Sequence, residues 1–164
     1  MANGKGRLVH ADGDVYEGDW QDDQRSGRGM MIYPNGNVYE GDWEENSAHG
    51  RGTKTFEDGS VYIGDCRKGK IEGFGRMKYA NGDVYLGEWK NGVKQGKGKM
   101  IYKNGDVYDG EWVKDERNGP GKITSKGKIS EGYWRDNEIQ VEEIEQSTDY
   151  SEGLRSRAFS LSVI

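Results

Sequence analysis

The sequence predicts an all-β fold: an elongated, single-layer antiparallel meander of about six β-hairpins with a short helical or disordered C-terminal tail. Three landmarks predict it: a G-x-G pair, a Tyr-Glu-Gly-Asp-Trp segment and a glycine-containing turn signal, which recur in step every 23 residues. We assign residues 1–137 to six such repeats and residues 138–164 to an acidic, then Ser- and Arg-containing tail.

The landmarks keep one spacing along the chain. The G-x-G pairs lie at Gly4/Gly6, Gly27/Gly29, Gly50/Gly52, Gly73/Gly75, Gly96/Gly98 and Gly119/Gly121. The Tyr-Glu-Gly-Asp-Trp segment begins at Tyr16, and its copies begin at Tyr39, Tyr62, Tyr85 and Tyr108, with a sixth, at Ser130, one residue early. Between them stand Asp12-Gly13, Asn35-Gly36, Asp58-Gly59, Asn81-Gly82, Asn104-Gly105 and Lys126-Gly127. Asn-Gly or Asp-Gly between apolar stretches indicates a β-hairpin, so each unit is predicted to be strand, turn, strand.

The turn of repeat two predicts a register. Pro34-Asn35-Gly36 suits a three-residue loop with a G1 bulge, which pairs residue 33 with 37, 31 with 39, 29 with 41 and 27 with 43. Alternation along strands then places the large rings and the strand glycines on one face, where the rings lie over bare backbone. The same reasoning assigns a structural role to Gly18, Gly27, Gly29, Gly41, Gly50, Gly52, Gly64, Gly73, Gly75, Gly87, Gly96, Gly98 and Gly110.

The sixth repeat is one residue short and tests this register. A two-residue Lys126-Gly127 turn pairs 125 with 128, 123 with 130, 121 with 132 and 119 with 134, which preserves the scheme. The six-residue connections between hairpins, such as residues 21–26 and 90–95, are too short for a crossover helix. Neighbouring hairpins are therefore predicted to be sequential and antiparallel, in about twelve strands.

Composition narrows the function. The chain is 32% apolar and 11% aromatic, which favours a thin repetitive fold over a thick core. A single cysteine, Cys66, excludes an intramolecular disulfide. No apolar run has the length of a membrane-spanning helix, and the N-terminus lacks a hydrophobic signal, so we expect a cytoplasmic protein. His10 and His49 lie on different repeats, and no catalytic or metal motif is present. We therefore predict a non-enzyme without metal or cofactor.

The pattern Tyr-Glu-Gly-x-Trp, short linker, G-x-G, Asp/Asn-Gly resembles the MORN (membrane occupation and recognition nexus) repeat, over residues 4 to about 137. This resemblance implies a hairpin array without catalytic residues, acting as a scaffold in cytoskeletal or ciliary assemblies, at membrane junctions or as an accessory module of an enzyme. It also implies that some members bind acidic phospholipids, and that others dimerise or grip a partner's helical segment. Repeat three departs from the pattern, because Cys66 replaces its Trp and Lys54 stands where other repeats have Leu or Met.

Two faces of the sheet are candidate contact surfaces. The aromatic face either forms the core or leaves a groove for a partner's amphipathic helix; the groove candidates are Tyr39, Trp43, Tyr62, Tyr85, Trp89, Tyr108 and Trp112. On the second face, Ile63 and Leu86 replace an acidic residue of the other repeats, beside Val61 and Val84. This stripe reflects either β-propensity alone or a homodimer or partner contact.

Charge is asymmetric along the chain. Residues 66–104 hold ten bases against three acids, whereas the overall net charge is −5. This basic band either binds an acidic membrane surface or acidic partner, or is solvated surface; its candidates are Arg67, Lys68, Lys70, Arg76, Lys78, Lys94, Lys97, Lys99 and Lys103. Acidic flanks and the lack of a reader motif argue against nucleic acid.

The leading hypothesis is a protein-binding scaffold associated with the cytoskeleton or a cilium. The alternatives are a phospholipid-binding membrane tether, which would be peripheral at a membrane, and a regulatory module for a separate catalytic subunit. In the tail, residues 139–144 are predicted to form a short helix that caps the open sheet edge. Residues 155–160 resemble a basophilic kinase site, and residues 162–164 resemble a PDZ-binding terminus.

Overall fold

A computed structural model describes residues 1–144 and 156–161, which form one antiparallel sheet with its strands in chain order. The strands are β1 (Gly4–Val9), β2 (Val15–Gln21), β3 (Gln24–Ile32), β4 (Val38–Glu44), β5 (Ser47–Thr55), β6 (Val61–Arg67), β7 (Lys70–Lys78), β8 (Val84–Lys90), β9 (Val93–Ile101), β10 (Val107–Val113), β11 (Glu116–Ser125), β12 (Lys128–Arg135), β13 (Glu138–Ile144) and β14 (Ser156–Leu161). The predicted all-β meander is thus confirmed.

The tail differs from its prediction. The helix expected over residues 139–144 is wrong, because these residues form β13, which pairs with β12 and with β14. A two-residue turn at Asp136 and Asn137 lets the chain fold back as another hairpin, so the edge is extended by a strand. Most of the predicted kinase site lies in β14, but its side chains and residues 162–164 lie outside what the structure describes.

The predicted hairpin register is confirmed. In repeat two, Met31 faces Tyr39, Gly29 faces Gly41 and Gly27 faces Trp43. The Tyr33 N–H donates to the Asn37 carbonyl at 2.9 Å, and Gly36 takes the left-handed conformation at φ 84°. The shortened sixth repeat keeps the same scheme, with 125 paired to 128 and 119 to 134. Changing the turn by one residue therefore leaves the sheet register intact.

The sequence suggested six-residue connections between hairpins, but the connections in the structure are shorter. The strands continue to two-residue turns in which both residues have positive φ, as at Asp22 (48°) and Asp23 (64°). Such turns match the right-handed twist of the flanking strands. Most of these pairs lack the Asn-Gly or Asp-Gly signal, so the turns could not be identified from the sequence.

Each of the first five connections carries a β-bulge at the first glycine of the G-x-G pair. Gly18 faces Gly29 but Trp20 faces Arg25, so the register shifts around Gly27, whose φ is 66°. The three atoms nearest to a Cβ on Gly27 all belong to the Asp19 side chain, the closest at 2.9 Å, rather than to a ring. The expectation that this glycine makes room for a ring is therefore wrong, and the same holds for its equivalents Gly50, Gly73 and Gly96. These four glycines are required by the left-handed bulge.

The other strand glycines do make room for rings. The Tyr16 ring lies over Gly18 and Gly29, and a Cβ on Gly29 would lie within 2.6 Å of that ring. The Tyr16 hydroxyl reaches past both glycines to donate to the Asp19 carbonyl at 2.9 Å. The same arrangement recurs at Gly41 and Gly52, Gly64 and Gly75, Gly87 and Gly98, and Gly110 and Gly121.

The core is a row of alternating Tyr and Trp rings along this face. Trp43 makes edge-to-face contacts with Tyr16 and Tyr39, at centroid distances of 5.1 and 5.4 Å, and its Nε1 donates to the Gly29 carbonyl. Each such pair adds roughly 0.5–1.5 kcal/mol beyond burial. The row is interrupted in repeat three, because Cys66 stands where Trp is expected and no ring bridges Tyr39 and Tyr62.

Candidate functional site

The rings predicted to line a partner groove are core side chains. All seven, Tyr39, Trp43, Tyr62, Tyr85, Trp89, Tyr108 and Trp112, are at most 5% exposed. A sheet of one layer was expected to leave some of its rings exposed to solvent in a groove. Here neighbouring rings, the half-buried turn aromatics and the side chains of a further repeated position cover them.

That repeated position is the second residue after each two-residue turn, for which we use the term cap position. Its occupants are Arg25, Ala48, Ile71, Lys94, Arg117 and Ile139, of which the first five are 23 residues apart. At three of these positions a cationic side chain lies over the face of an aromatic ring. The Arg25 guanidinium carbon lies 5.0 Å from the Trp43 ring centroid, the Lys94 Nζ 4.7 Å from Trp112, and the Arg117 carbon 4.4 Å from Trp134. Such cation–π contacts close the surface over the core.

At Ile71 the cap is too short to cross the rings, and a pocket opens there. Its volume is about 580 Å³, and its apolar wall includes Phe56, Ile71, Met77, Tyr79 and Trp89. At its rim stand Lys54, Lys70, Lys94 and Asp115. Of the predicted groove residues, Trp89 alone borders this pocket. The pocket is large enough for one or two apolar side chains, and its rim carries three bases against one acid.

Burial shapes the electrostatics of the rim. The Lys94 side chain is 13% exposed, and desolvation lowers the pKa of its ammonium group, although Asp115 at 4.0 Å opposes this effect. The same burial raises the pKa of Tyr79 to about 12, so its hydroxyl stays protonated and can donate a hydrogen bond. The pocket therefore combines apolar walls with positive charge and one hydroxyl donor, that of Tyr79.

Cys66 faces Ile71 across β6 and β7 and is 6% exposed. Burial raises the pKa of its thiol, while Lys54 nearby acts in the opposite direction. The nearby Tyr39 hydroxyl donates to the Asp42 carbonyl at 2.9 Å. A buried, protonated thiol is a packing group here rather than a nucleophile.

The second face carries an apolar patch in repeats three and four. Ile63 and Leu86 lie on either side of Arg76 in one cross-strand row, and Ile63 is 47% exposed. Phe74, which the sequence reasoning missed, is 56% exposed in the adjacent row. It is the middle residue of a G-x-G pair, where Lys5, Arg28, Arg51 and Lys97 stand in other repeats. A comparison of this middle position across the repeats would have identified Phe74. Val61 and Val84 are half-buried beside the patch.

The predicted basic band does not gather on one surface. Arg76, Lys78, Lys97 and Lys99 alternate with Met77 and Gly98 and so lie on the second face. Lys70 and Lys94 border the pocket on the aromatic face. Arg67 and Lys68 lie at one turn edge and Lys103 at the other. Lys99 pairs with Asp109 at 3.1 Å and Arg67 with Glu72 at 3.7 Å, which reduces the free charge.

Within residues 1–144 and 156–161 no cluster of three or more metal-binding side chains is present. No helix in the described part of the chain is long and apolar enough to cross a bilayer. The two histidines do not meet any nucleophile: His10 is exposed, and His49 lies 3.3 Å from Glu44.

Comparison with known proteins agrees with the repeat pattern. The family model "MORN repeat" matches residues 1–15, 16–38, 39–61, 62–84, 85–107 and 108–127, so the chain belongs to the MORN-repeat family. A search of curated proteins found no matching sequence.

Two solved structures are among those similar to this chain. One is the TCP domain of SAS-4 (dCPAP) of Drosophila melanogaster in complex with a proline-rich motif of Ana2 (dSTIL). It is 13% identical, with a TM-score of 0.50 over 83% of this chain and 81% of that one. The other is the TCP10 domain of Danio rerio CPAP with a peptide of STIL, 13% identical, with a TM-score of 0.46 over 80% and 65%. At such low identity the first likeness concerns the fold alone.

Proposed function

We propose that this chain is a non-catalytic protein-interaction scaffold and that a partner segment inserts an apolar side chain into the pocket beside Ile71. The observation that carries the proposal is the break in the row of caps. Cations close the rings at Arg25, Lys94 and Arg117, whereas Ile71 leaves about 580 Å³ open.

The chemistry of the pocket defines the segment. Its walls suit a Leu, Met or aromatic anchor, and its rim of Lys54, Lys70 and Lys94 favours acidic residues beside that anchor. The MORN family and the likeness to a fold solved with a bound peptide motif support a scaffold role.

The test is selection of peptides from a random display library against the full chain. We expect selected peptides to combine an apolar anchor with Asp or Glu. Ile71→Arg installs the cap of repeats one and five, keeps the fold and should weaken peptide binding at least tenfold in a fluorescence titration. Ile71→Leu is the matched control, and its affinity should stay within about twofold. Peptides that bind Ile71→Arg as well as the parent, or failure to select any peptide, would contradict the proposal.

We further propose a cytoskeletal or centriolar setting, which the likeness to the SAS-4 domain supports at the level of the fold. Proximity labelling of the intact protein in its own cell tests it. Enrichment of centriolar or cytoskeletal proteins, lost with Ile71→Arg, is the expected result. Labelling dominated by membrane proteins that is unchanged in that variant would favour the tether instead.

The patch on the second face supports a second proposal, self-association. Phe74 is 56% exposed and Ile63 47% exposed, beside Leu86, and strongly exposed apolar clusters mark contact surfaces. Phe74→Arg restores the base found at Arg28 and Arg51, so it should fold and shift sedimentation equilibrium towards the monomer. Ile32→Arg, on the same face in repeat two, is the control and should leave the equilibrium unchanged. A parent protein that is monomeric at high concentration would contradict self-association.

A further inference from the structure

The first strand of the sheet has an outer edge that lacks a strand among the residues the structure describes. β1 pairs with β2 only, and all its residues except Gly6 are exposed. The equivalent strands β3, β5, β7, β9 and β11 are each covered on that side by a strand of the preceding repeat. Five internal copies therefore show what this edge is shaped to receive.

The first missing group is a tyrosine ring. In the second repeat the Tyr16 ring lies over Gly29, and in the third the Tyr39 ring lies over Gly52. Gly6 is the equivalent of both, yet near it only the Trp20 indole approaches, at 3.0 Å. The backbone at Gly6 thus offers the same bare surface without its ring.

The second missing group is a carboxylate. The backbone N–H groups of Arg28 and Arg51 donate to Asp19 and Asp42 of the preceding strand, both at 2.9 Å. Lys5 holds the equivalent position and pairs with β2 as Arg28 pairs with β4, so its N–H points to the outer edge. Gly4 has the same left-handed conformation as its equivalents, with φ 91°, but a Cβ added to it would meet no atom within 4 Å.

The third sign is the incomplete packing of Trp20. Trp43 lies between two tyrosine rings, and Trp112 likewise lies between Tyr85 and Tyr108. Trp20 contacts Tyr16 alone, at 5.1 Å, and is partly exposed. One tyrosine on an incoming strand would fill both the space over Gly6 and the open side of Trp20.

We propose that the outer edge of β1 binds an antiparallel strand of the type Tyr-x-Gly-Asp-Trp. The register of the internal copies sets the incoming Tyr opposite Leu8 and the incoming Gly opposite Gly6. The incoming Asp accepts from the Lys5 N–H. Strand addition of this kind draws its affinity from main-chain hydrogen bonds and its specificity from alternate side chains.

A peptide of residues 37–45, which contains Tyr39, Gly41 and Asp42, is the probe. Titrated into the isotope-labelled full chain, it should shift the amide resonances of Gly4–Val9 and the Trp20 indole in a saturable way. Peptides with Tyr39→Ala or Asp42→Ala should bind at least tenfold more weakly. Shifts confined to other strands, no shifts at millimolar peptide, or equal binding of a scrambled peptide would overturn the proposal.

A protein variant closes the test. Pro120 occupies the position of Lys5 in the sixth repeat, after Gly119 with φ 98°, so proline is compatible with this backbone. Lys5→Pro removes the outward N–H and should reduce peptide affinity at least tenfold, whereas Lys5→Gln should retain it. Ile71→Arg should have no effect, which separates this edge from the pocket. Full binding to Lys5→Pro would contradict the assigned register.

Discussion

At the scale of single residues, glycine serves two needs that the sequence does not distinguish. Gly27 is held at φ 66°, where a side chain is strained, while Gly52 has ordinary backbone angles but lies under the Tyr39 ring. The tyrosine in turn satisfies its buried hydroxyl on the Asp42 carbonyl at 2.9 Å. The small residue and the large one are therefore a single packing unit.

Substitution separates these two needs. Gly52→Ala puts a Cβ 2.6 Å from the Tyr39 ring carbon and hydroxyl, so the ring must leave its slot. We expect a loss of about 2–4 kcal/mol in the free energy of unfolding, measured by urea titration. Gly59→Ala is the control, because Gly59 has φ 86° but open space around it, and should cost about 1 kcal/mol. Equal losses would show that packing over the glycine is unimportant.

Tyrosine burial also predicts the pH dependence of stability. Desolvation raises the pKa of Tyr79 and of Tyr108 to about 12, above the unfolded value near 10. Between these values the unfolded chain releases protons that the folded chain retains. The tyrosine contribution should be constant below about pH 10 and should fall as pH rises towards 12. Unfolding monitored together with tyrosinate absorbance checks this; stability that is flat up to pH 12 would contradict it.

At the scale of strands and turns, each hairpin is tied to the next by a carboxylate. Asp42 accepts from the Arg51 N–H at 2.9 Å, beside the bulge at Gly50, and its other oxygen, Oδ1, lies 3.1 Å from Arg28. The bulge exposes a backbone donor that has no partner in the regular ladder, and the acid supplies one.

Asp42→Ala should therefore loosen the junction between β4 and β5. We expect a loss of about 1–2 kcal/mol in the free energy of unfolding, because the bulge loses a charge-assisted hydrogen bond. Glu40→Ala on the same strand and face serves as the control and should change it by less than about 0.5 kcal/mol. Calorimetry of both variants provides the comparison. An Asp42→Ala variant as stable as the parent would show that this carboxylate does not stabilise the bulge.

The register was predictable from the sequence because the turn signals and glycines repeat in phase. The two-residue turns were not, since pairs such as Asp22-Asp23 lack the glycine of the Asn-Gly or Asp-Gly signal. The pocket was missed for a different reason. The cap position holds a different type of side chain in successive repeats, so no recurring residue marks it and the shortness of Ile71 is not evident from the pattern.

At the scale of the whole molecule, stability is a sum of contacts between neighbouring hairpins, because the sheet has no second layer. Rings alternate without a break from Tyr62 to Trp134, each pair 5.0–5.7 Å apart, but no such pair spans Cys66. Ala48 also lacks the reach of the cationic caps. Repeat three is thus expected to have lower local stability than the better-packed parts of the array on either side of it.

Hydrogen exchange tests the lower local stability of repeat three. Amides of β5 and β6 should exchange faster than those of β9 and β10, because local opening there breaks fewer ring contacts. Trp112→Cys reproduces the Cys66 substitution in repeat five, so protection in β9 and β10 should fall towards the level of β5 and β6 while β2 and β3 stay unchanged. Uniform exchange along the parent array, or a global loss of protection in Trp112→Cys, would mean that the hairpins unfold as one cooperative unit and that the missing ring does not localise opening.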